Sequence, residues 1–365
     1  MGPLNDIRHM RHALVLAARG LGRVAPNPAV GCVIISQNGT IVGRGSTGRG
    51  GRPHAETIAL AQAGEAARGA TAYVTLEPCA HQGETPPCAN ALIEAGVARV
   101  VAPIEDRDPR VSGRGFEKLR AAGIDVTTAV LAKEAAELNA GFFLRLRERR
   151  PFVTLKIAAS FDGRTADSAG DSRWVTGEES RRFGHLLRAR HDAILVGAET
   201  AIADDPLLTC RIAGLEDRSP IRVVLDTRLR LDESAKLAKT ACEIPTWVFT
   251  ASEGGGALRA RGVSVISVSK DARGRPDIGT VLNELAARGV TRLLVEGGAA
   301  VLATFLDRRL ADRIELFRAP IALGAAGHAA IEALAALGLD EAPRFSSVGT
   351  QRLGPDLLES FSVRA

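Results

Sequence analysis

Aromatic side chains are scarce in this chain of 365 residues. They make up 4% of the sequence and include one tyrosine and two tryptophans. Proteins that bind single-stranded nucleic acid usually combine a basic groove with stacked aromatic rings. The net charge is only +5 and the arginines are spread along the chain. The composition therefore predicts no nucleic-acid partner, and scattered arginines fit small phosphorylated ligands or a solvated surface.

Long apolar runs are also missing. No stretch approaches the roughly 20 apolar residues of a membrane-spanning helix. The apolar run at residues 13–18 is too short for the core of a signal peptide and lacks a plausible cleavage site. It is predicted to lie in an amphipathic helix that begins near Asn5 or Asp6 and ends at Gly20 or Gly22. The expectation is a soluble protein without a membrane partner.

Cysteine is rare, with five residues in the chain. An odd number this small does not predict a disulfide framework. Cys210 and Cys242 are expected to be buried small apolar residues rather than a disulfide pair. This use of cysteine suits a reducing cytosol, so a cytoplasmic location is predicted.

The strongest chemical signal lies in residues 54–88. His54, Cys79 and Cys88 form a set of metal ligands, and Glu56 follows the histidine by two positions. Zinc held by three protein ligands keeps a fourth position for water, which is the arrangement of a catalytic site. The bound water becomes a nucleophile near neutral pH, and Glu56 is predicted to carry protons between that water and a leaving amine. The sequence thus predicts zinc and an amine-releasing hydrolysis.

Two alternatives to a catalytic zinc site remain. His81 could supply a fourth ligand and close the site, or the cysteines could simply be buried. The His-x-Glu and Pro-Cys elements are typical of nucleobase deaminases, in which two residues separate the cysteines. Here eight residues separate them.

One glycine-rich segment and one proline-flanked turn give weaker indications of ligand binding. Residues 43–48 match the dinucleotide pattern of spaced glycines, but a loop follows where a helix should begin, so a nucleotide site is rejected there. Asn27, in a proline-flanked turn, can offer a donor and an acceptor to the ring edge of a ligand, although a turn asparagine is more often only structural.

The length predicts two domains, because 365 residues exceed what one core usually serves. A charged break with a proline at residues 147–151 places the boundary between domains 1–149 and 150–365. Strands and helices alternate on both sides, which predicts layered α/β domains. In the second domain, Glu296-Gly297-Gly298 joins a strand to a helix. This pattern is typical of a turn that binds pyrophosphate, and equally of a glycine turn that binds no ligand.

The motifs together resemble one family over nearly the whole chain, the bifunctional riboflavin-biosynthesis deaminase–reductases. In the first domain the resemblance rests on Pro26-Asn27-Pro28-x-Val30-Gly31, His54-Ala55-Glu56 and Glu77-Pro78-Cys79-x-His81-x-Gly83-x-Thr85-Pro86-Pro87-Cys88. In the second it rests on residues 156–163, 192–197, 204–211 and 296–298, including Asp204-Asp205-Pro206. The cysteine motif and the Asp-Asp-Pro block together are highly specific.

The resemblance implies a cytidine-deaminase-like three-layer α/β/α domain followed by a dihydrofolate-reductase-like α/β domain. The first would deaminate 2,5-diamino-6-(5-phospho-ribosylamino)pyrimidin-4(3H)-one to the corresponding uracil. The second would reduce the ribosyl side chain to ribityl with NADPH. A homodimer or larger homo-oligomer is also implied.

The resemblance further assigns residues to roles. It makes His54, Cys79 and Cys88 zinc ligands and Glu56 the proton carrier. The implied NADPH contacts are Ala158, Trp174, Thr200, Asp204, Thr227, Gly298, Ala299, Ala300, Val301, Leu302, Ala303 and Thr304. The implied contacts to the phosphoribosyl substrate are Ser172, Arg188, Leu208, Arg211 and Glu296.

Some of these residue types make sense without the resemblance. Arg188 and Arg211 can hold a phosphate through two hydrogen bonds each, although scattered arginines are usually surface residues. Trp174 can flank a nicotinamide ring or fill a core. Lys156 and Asp204 are candidate proton carriers, because opening a ribose ring for hydride attack needs acid–base help.

Two positions depart from the family pattern. Thr47 stands where a histidine is common, and Glu84 stands where lysine or arginine is common. A reversed charge beside a desolvated phosphate costs on the order of a few kcal/mol. Arg49 or Arg52 is our hypothesis for the missing cation.

Three functions are compatible with the sequence. The first is the two-activity enzyme. The second is a nucleic-acid deaminase with an appended domain, and the third is a reductase with a zinc-stabilised scaffold or a module for a different amino-heterocycle. For the second domain alone, a pterin or folate reductase is the alternative, on fold analogy.

Overall fold

The structure is a computed structural model that describes residues 3–81, 86–108, 112–335 and 338–363. The chain folds into two compact units, Met1–Glu148 and Arg149–Ala365. Glu84, one of the two departures from the family pattern, lies outside the described residues. Each unit has its own main sheet.

The first unit alternates short strands and helices. Its helices are α1 (Pro3–Ala18), α2 (Ala55–Ala63), α3 (Cys88–Glu94), α4 (Arg114–Ala121), α5 (Ala132–Leu138) and α6 (Ala140–Glu148). Its strands are β1 (Gly31–Ile35), β2 (Ile41–Ser46), β3 (Thr71–Val74), β4 (Arg99–Val101) and β5 (Asp125–Thr127).

These strands form one mixed sheet with helices on both faces. Within the described residues the strand order is β2-β1-β3-β4-β5; β1 pairs antiparallel with β2 and β3, and the β3–β4 and β4–β5 pairs are parallel. Met10 and Ala13 of α1 pack with Val33 and Tyr73 on one face. Apolar residues of α2, α3 and α4 pack on the other face. The arrangement is therefore three-layered.

Glycines allow α2 to lie directly on β2. A Cβ atom on Gly43 would lie 2.2 Å from the carbonyl oxygen of Ala59, and one on Gly45 would lie 2.0 Å from that of Ala55. Because α2 begins immediately after His54, this close approach fixes the height of the histidine above the sheet. The glycines at 43 and 45 thus serve helix–sheet packing.

The second unit has one large sheet. Its helices are α7 (Glu178–Ala189), α8 (Ala198–Asp204), α9 (Lys236–Lys239), α10 (Gly256–Ala260), α11 (Ile278–Ala287) and α12 (Ala299–Asp307). Its strands are β6 (Phe152–Ser160), β7 (Arg164–Ala166), β8 (Ala193–Gly197), β9 (Ile221–Leu225), β10 (Thr246–Thr250), β11 (Ser264–Ser267), β12 (Arg292–Val295), β13 (Arg313–Ala319), β14 (His328–Ala329), β15 (Phe345–Leu353) and β16 (Asp356–Val363).

Nine of these strands form the sheet, in the described order β11-β10-β9-β8-β12-β6-β13-β16-β15. The strands from β11 to β13 pair in parallel, whereas β16 pairs antiparallel with β13 and β15. Helices α11 and α12 cover one face, and residues of α7, α9 and α10 pack on the other. Strand β12, late in the sequence, lies between the early strands β6 and β8. The carboxyl ends of these three strands therefore lie side by side.

Some element predictions differ from the structure. Helix α1 runs from Pro3 to Ala18. It therefore begins before the predicted start at Asn5 or Asp6 and ends before the predicted end at Gly20 or Gly22. Two short helices, α5 and α6, precede the predicted domain boundary. The prediction that Cys242 is buried was wrong, since the residue is exposed, whereas Cys210 is buried as expected.

We predict that Gly45→Ala destabilises the protein. The added methyl group would meet the Ala55 carbonyl, and α2 would have to move off the sheet, at a cost of about 1–3 kcal/mol or more. Chemical unfolding followed by circular dichroism measures the change. Gly256→Ala is the control, because a Cβ atom there meets nothing within 4 Å. Equal stabilities of the two variants would contradict the packing argument.

Candidate metal centre and ligand cavities

Three potential metal ligands converge in the first unit. His54 caps the start of α2, Cys88 is the first residue of α3, and Cys79 lies in the loop after β3. The His54 Nδ1 atom lies 3.1 Å from the Cys88 Sγ atom and 3.7 Å from the Cys79 Sγ atom. The three ligand atoms all lie within 4.8 Å of one another. One nitrogen and two sulfurs so close together fit the ligand preference of zinc.

Charges around these ligands favour a thiolate. The hydrogen bond from the Cys88 thiol, helped by His54, holds the pKa of Cys79 at about 4 against the opposing effect of burial. The backbone N–H of Cys88 also donates to the Cys79 sulfur at 3.3 Å. Because a thiolate is the form that binds metal, Cys79 is prepared for coordination.

Glu56 lies beside the ligands and is 4% exposed. Burial, together with the negative charge of Cys79, raises the pKa of its carboxyl to about 7. A carboxyl group that takes up and releases protons near neutral pH is suited to general acid–base work. A divalent cation at the three ligands would act in the opposite direction and favour the carboxylate.

His81 is not part of this cluster. Among the described residues, His54, Cys79 and Cys88 are the group of ligand atoms close enough to hold an ion. Within the described residues the set therefore has three protein ligands, the number found in catalytic zinc sites, whereas structural sites have four.

Glu77 fixes the loop that carries Cys79, a role that the sequence motif did not indicate. Its Oε2 atom accepts hydrogen bonds from the backbone N–H groups of Asp106 and Gly113, both at 3.0 Å, and its Oε1 atom accepts from Gly115 at 2.8 Å. Glu77 is 3% exposed. A buried carboxylate that satisfies three backbone donors ties the ligand loop to the start of α4.

Two residues singled out in the sequence contact the backbone here. Thr47 is buried, and its hydroxyl accepts from Val30 N–H at 2.9 Å and lies 3.3 Å from the Val30 carbonyl. Asn27 donates from Nδ2 to the Gly50 carbonyl at 3.1 Å. Thr47 thus joins the ends of β1 and β2, and Asn27 braces the turn that leads to His54.

In the second unit, the carboxyl ends of β6, β8 and β12 open into a cavity of about 370 Å³. Ligands of open α/β sheets bind at such a point, where connections leave a strand in opposite directions. Most of the predicted reductase residues line this cavity. They are Lys156, Ala158, Ser172, Trp174, Arg188, Thr200, Asp204, Leu208, Glu296, Gly298, Ala299 and Leu302.

Glu296 is the electrostatic centre of this cavity. Its two carboxylate oxygens accept from the Nε and Nη2 atoms of Arg188 at 2.8 and 3.0 Å, and Lys156 Nζ lies 3.6 Å away. Burial works against the charge, but Arg188 and Lys156 hold the pKa of Glu296 at about 2. Glu296 is therefore ionised at neutral pH and orients both cations.

A second cavity, of about 310 Å³, shares Thr200, Gly298 and Ala299 with the first. Gly297 and Gly298 form the turn between β12 and α12. A Cβ atom on Gly297 would lie 2.7 Å from the Val301 Cβ atom, and one on Gly298 would lie 3.4 Å from the Thr200 hydroxyl. A side chain at Gly297 would therefore clash with Val301, whereas one at the exposed Gly298 would make ordinary contact. An exposed glycine before the start of α12 fits a pyrophosphate.

The remaining predicted cofactor residues divide between this second cavity and other places. Thr227, Ala300, Val301 and Thr304 line the second cavity. Ala303 is 5% exposed and lines neither cavity. Arg211, predicted to contact substrate, also lines neither, and its backbone N–H donates to His185 Nδ1 at 3.3 Å. Trp174 is 69% exposed, with the Arg181 guanidinium 4.6 Å from its ring centre.

Comparisons with known proteins agree with these two units. The family described as "RibD C-terminal domain" matches residues 151–358, and the family described as "Cytidine and deoxycytidylate deaminase zinc-binding region" matches residues 4–103. The riboflavin biosynthesis protein RibD of Aquifex aeolicus is 42% identical over 98% of each chain. The chain belongs to the RibD family.

Solved RibD structures have the same fold. RibD of Acinetobacter baumannii superposes with a TM-score of 0.89 at 36% identity, covering 100% of both chains. A diaminohydroxyphosphoribosylaminopyrimidine deaminase/5-amino-6-(5-phosphoribosylamino)uracil reductase of Thermotoga maritima superposes with a TM-score of 0.88 at 34% identity, covering 100% of both chains. The predicted family, the deaminase-like first domain and the reductase second domain are confirmed.

No helix in the described part of the chain is both long enough and apolar enough to cross a membrane.

We predict that Glu77→Gln weakens zinc binding. The amide group that replaces one oxygen cannot accept from backbone N–H groups, and each donor left unpaired costs about 1–3 kcal/mol. Metal content during titration with a competing chelator should fall for this variant. Glu117→Gln, an exposed change in the first turn of α4, is the control. Unchanged zinc affinity in Glu77→Gln would disprove the positioning role.

Proposed function

We propose that the chain deaminates 2,5-diamino-6-(5-phospho-ribosylamino)pyrimidin-4(3H)-one and then reduces the ribosyl side chain of the resulting uracil to ribityl. The main support is that both predicted centres have suitable chemistry in a chain that matches RibD over 98% of its length. The similar protein of Thermotoga maritima is described as carrying both activities.

For the deaminase we propose that His54 Nδ1 and the thiolates of Cys79 and Cys88 hold zinc. When bound, zinc supplies a water molecule of lowered pKa. Glu56 accepts a proton from the attacking water as its oxygen bonds to the ring carbon, and delivers that proton to the amine nitrogen. The C–N bond then breaks, ammonia leaves, the water oxygen remains as the carbonyl of the uracil, and the second water proton passes to the adjacent ring nitrogen. The nearly complete burial of Glu56 keeps bulk water from competing for these protons.

Substrate anchoring in the first unit is proposed to use Asn27 and a nearby arginine. Arg52 is close enough for its charge to oppose the protonation of His54, and Arg49 is exposed in the same loop. Either arginine can bind the substrate phosphate in place of the lysine or arginine that is common at position 84. Thr47, which hydrogen-bonds Val30, is better assigned to structure than to substrate.

For the reductase we propose that the cavity around Glu296 holds the ribosyl phosphate and the reactive end of NADPH. Arg188 offers N–H groups, Glu296 accepts from substrate hydroxyls, and Ser172 and Leu208 complete the lining of the substrate site. Arg211 lines neither cavity and stays a proposed substrate contact on the family resemblance alone. Lys156 and Asp204 are the candidate proton carriers; Lys156 is held by Glu296, whereas Asp204 is exposed at the end of α8. When bound, NADPH supplies the hydride.

We propose that the pyrophosphate and adenosine of NADPH extend over the turn formed by Gly297 and Gly298. Ala158, Trp174 and Asp204 line only the first cavity, Thr227 lines only the second, and Thr200 lines both. The start of α12, from Gly298 to Thr304, lies between them, where backbone N–H groups favour a pyrophosphate.

The alternatives have less support. A nucleic-acid deaminase gives no role to the cavity around Glu296, and a scaffold needs neither the buried Glu56 nor an open metal position. The match to the RibD C-terminal domain disfavours a pterin or folate reductase. A homo-oligomer remains part of the proposal on family resemblance alone.

We predict that the two activities separate cleanly. Glu56→Gln should lower the turnover number for ammonia release by about 10²–10⁴-fold, because the proton carrier is lost. NADPH oxidation on supplied uracil intermediate should not change, and zinc removal by a chelator should have the same selective effect. Both activities are measured on one preparation, so each serves as the control for the other. Normal ammonia release by Glu56→Gln would refute the assigned role.

We also predict that Arg188→Gln acts only on the reductase. Loss of its charge should raise KM for the uracil intermediate by about 10-fold or more, and ammonia release should be unchanged. Arg182→Gln, an exposed change on the same helix, is the matched control. An unchanged KM would remove Arg188 from the substrate site.

A further inference from the structure

Asn139 is a buried polar residue that has no role in the function proposed so far. It lies between α5 and α6 and is 3% exposed. It also lies between the two family matches, which cover residues 4–103 and 151–358. A buried amide is normally hydrogen-bonded, and the partner of Asn139 is 110 positions away in the sequence.

The Asn139 side chain pairs with both backbone groups of Ala29. Its Oδ1 atom accepts from the Ala29 N–H at 2.9 Å, and its Nδ2 atom donates to the Ala29 carbonyl at 3.1 Å. Ala29 is itself 2% exposed. An amide side chain carries an acceptor and a donor side by side, so it can satisfy the two backbone groups of one residue at once. The two bonds together fix the position and the orientation of the backbone at Ala29.

Asn139 is a fixed support because both neighbouring helices hold it. Its N–H donates to the Ala135 carbonyl in α5 at 3.3 Å, and its carbonyl accepts from the Phe143 N–H in α6 at 3.0 Å. Phe143 belongs to a buried apolar cluster with Leu76, and Val30, the neighbour of Ala29, packs against this cluster. The junction of α5 and α6 therefore holds residues 29 and 30 through hydrogen bonds and through apolar contact.

Asn27 lies in the same turn, two residues before Ala29. Its Nδ2 atom donates to the Gly50 carbonyl at 3.1 Å, and a Cβ atom on Gly51 would lie 2.1 Å from the same nitrogen. Gly51 precedes the metal ligand His54 by three residues. Within the described part of the chain no group donates to the Asn27 Oδ1 atom, so this oxygen can accept from the ring edge of a ligand. The turn at Asn27 thus lies between the Asn139 support and the loop that leads to His54.

We propose that Asn139 is a positioning residue of the deaminase: by holding Ala29 it sets the place of the Asn27 side chain, through which the substrate ring is bound. Without the amide, the buried N–H and carbonyl of Ala29 would lose their partners, and the turn would have to move to find others. A displacement of about 1 Å is enough to lose a hydrogen bond between Asn27 and a ligand. The proposal rests on the deaminase part of the proposed function and on the substrate contact of Asn27.

The test is a double-mutant cycle. Ammonia release by the full-length protein gives KM and kcat for the diaminopyrimidine substrate. Asn139→Ala should raise KM by about 10-fold or more and change kcat by less than about threefold, because Asn27 binds the substrate and its transition state alike. Asn27→Ala should raise KM to a similar extent. If Asn139 acts through Asn27, the double variant should have the KM of Asn27→Ala alone, since the two effects are then not additive.

Tyr73→Phe is the matched control for a lost buried hydrogen bond in the same unit. It removes the bond from the Tyr73 hydroxyl to Asp6 Oδ1 at 2.7 Å, on the face of the sheet that α1 covers. It should lower the free energy of unfolding but leave KM within about twofold of the wild-type value, because it does not touch the turn at Asn27. Zinc content and NADPH oxidation on supplied uracil intermediate should be unchanged in every variant. If Asn139→Ala does not fold, Asn139→Ser, which keeps one hydroxyl for Ala29, takes its place in the cycle.

The possible results separate the positioning role from other roles. Additive effects of Asn139→Ala and Asn27→Ala on KM, an unchanged KM in Asn139→Ala, or a fall in its zinc content would overturn the proposal. An unchanged KM in Asn27→Ala would also overturn it and would leave the assignments of zinc and Glu56 intact. A wild-type protein that releases no ammonia from this substrate would overturn both the positioning role and the proposed deaminase.

Discussion

The parallel pairing of β12 between β6 and β8 is the constraint on which the second unit depends. At the amino ends, Asp192 accepts from the N–H groups of Thr291 and Arg292, at 2.7 and 2.9 Å, which holds β12 in register with β8. At the carboxyl ends, the same register brings Glu296 to Lys156 and to Arg188 on the covering helix α7. Both cavities, and the glycine turn between them, follow from this one insertion.

Much of the fold could be predicted from local sequence patterns, because apolar strands bounded by turn residues have a clear signature. Strand β10 (Thr246–Thr250) is an example, since four of its five residues are buried. The strands that follow Val295 have a weaker signature, and β15 shows the reason. In β15 six consecutive residues are exposed, so the strand has no apolar alternation. Its pairing with β16 depends on the turn that joins them, a feature that periodicity does not detect.

The candidate sites were predictable where the chemistry is local and not where it depends on distant pairing. His54, Cys79 and Cys88 could be chosen because few residue types bind zinc. Glu77 gave no such signal, since its three partners are backbone groups 29 to 38 positions away.

The hydrogen bonds of Glu77 have a consequence for motion in the first unit. One carboxylate holds Asp106, Gly113 and Gly115, and Cys79 follows it by two residues. Local opening of that loop must therefore disturb a metal ligand, and an ion bound to Cys79 must in turn resist the opening, because linkage acts equally in both directions. With an ion bound at Cys79, we expect the three amides to exchange hydrogen with solvent more slowly than without it. In thermodynamic terms, the loop and the metal site form a single cooperative unit.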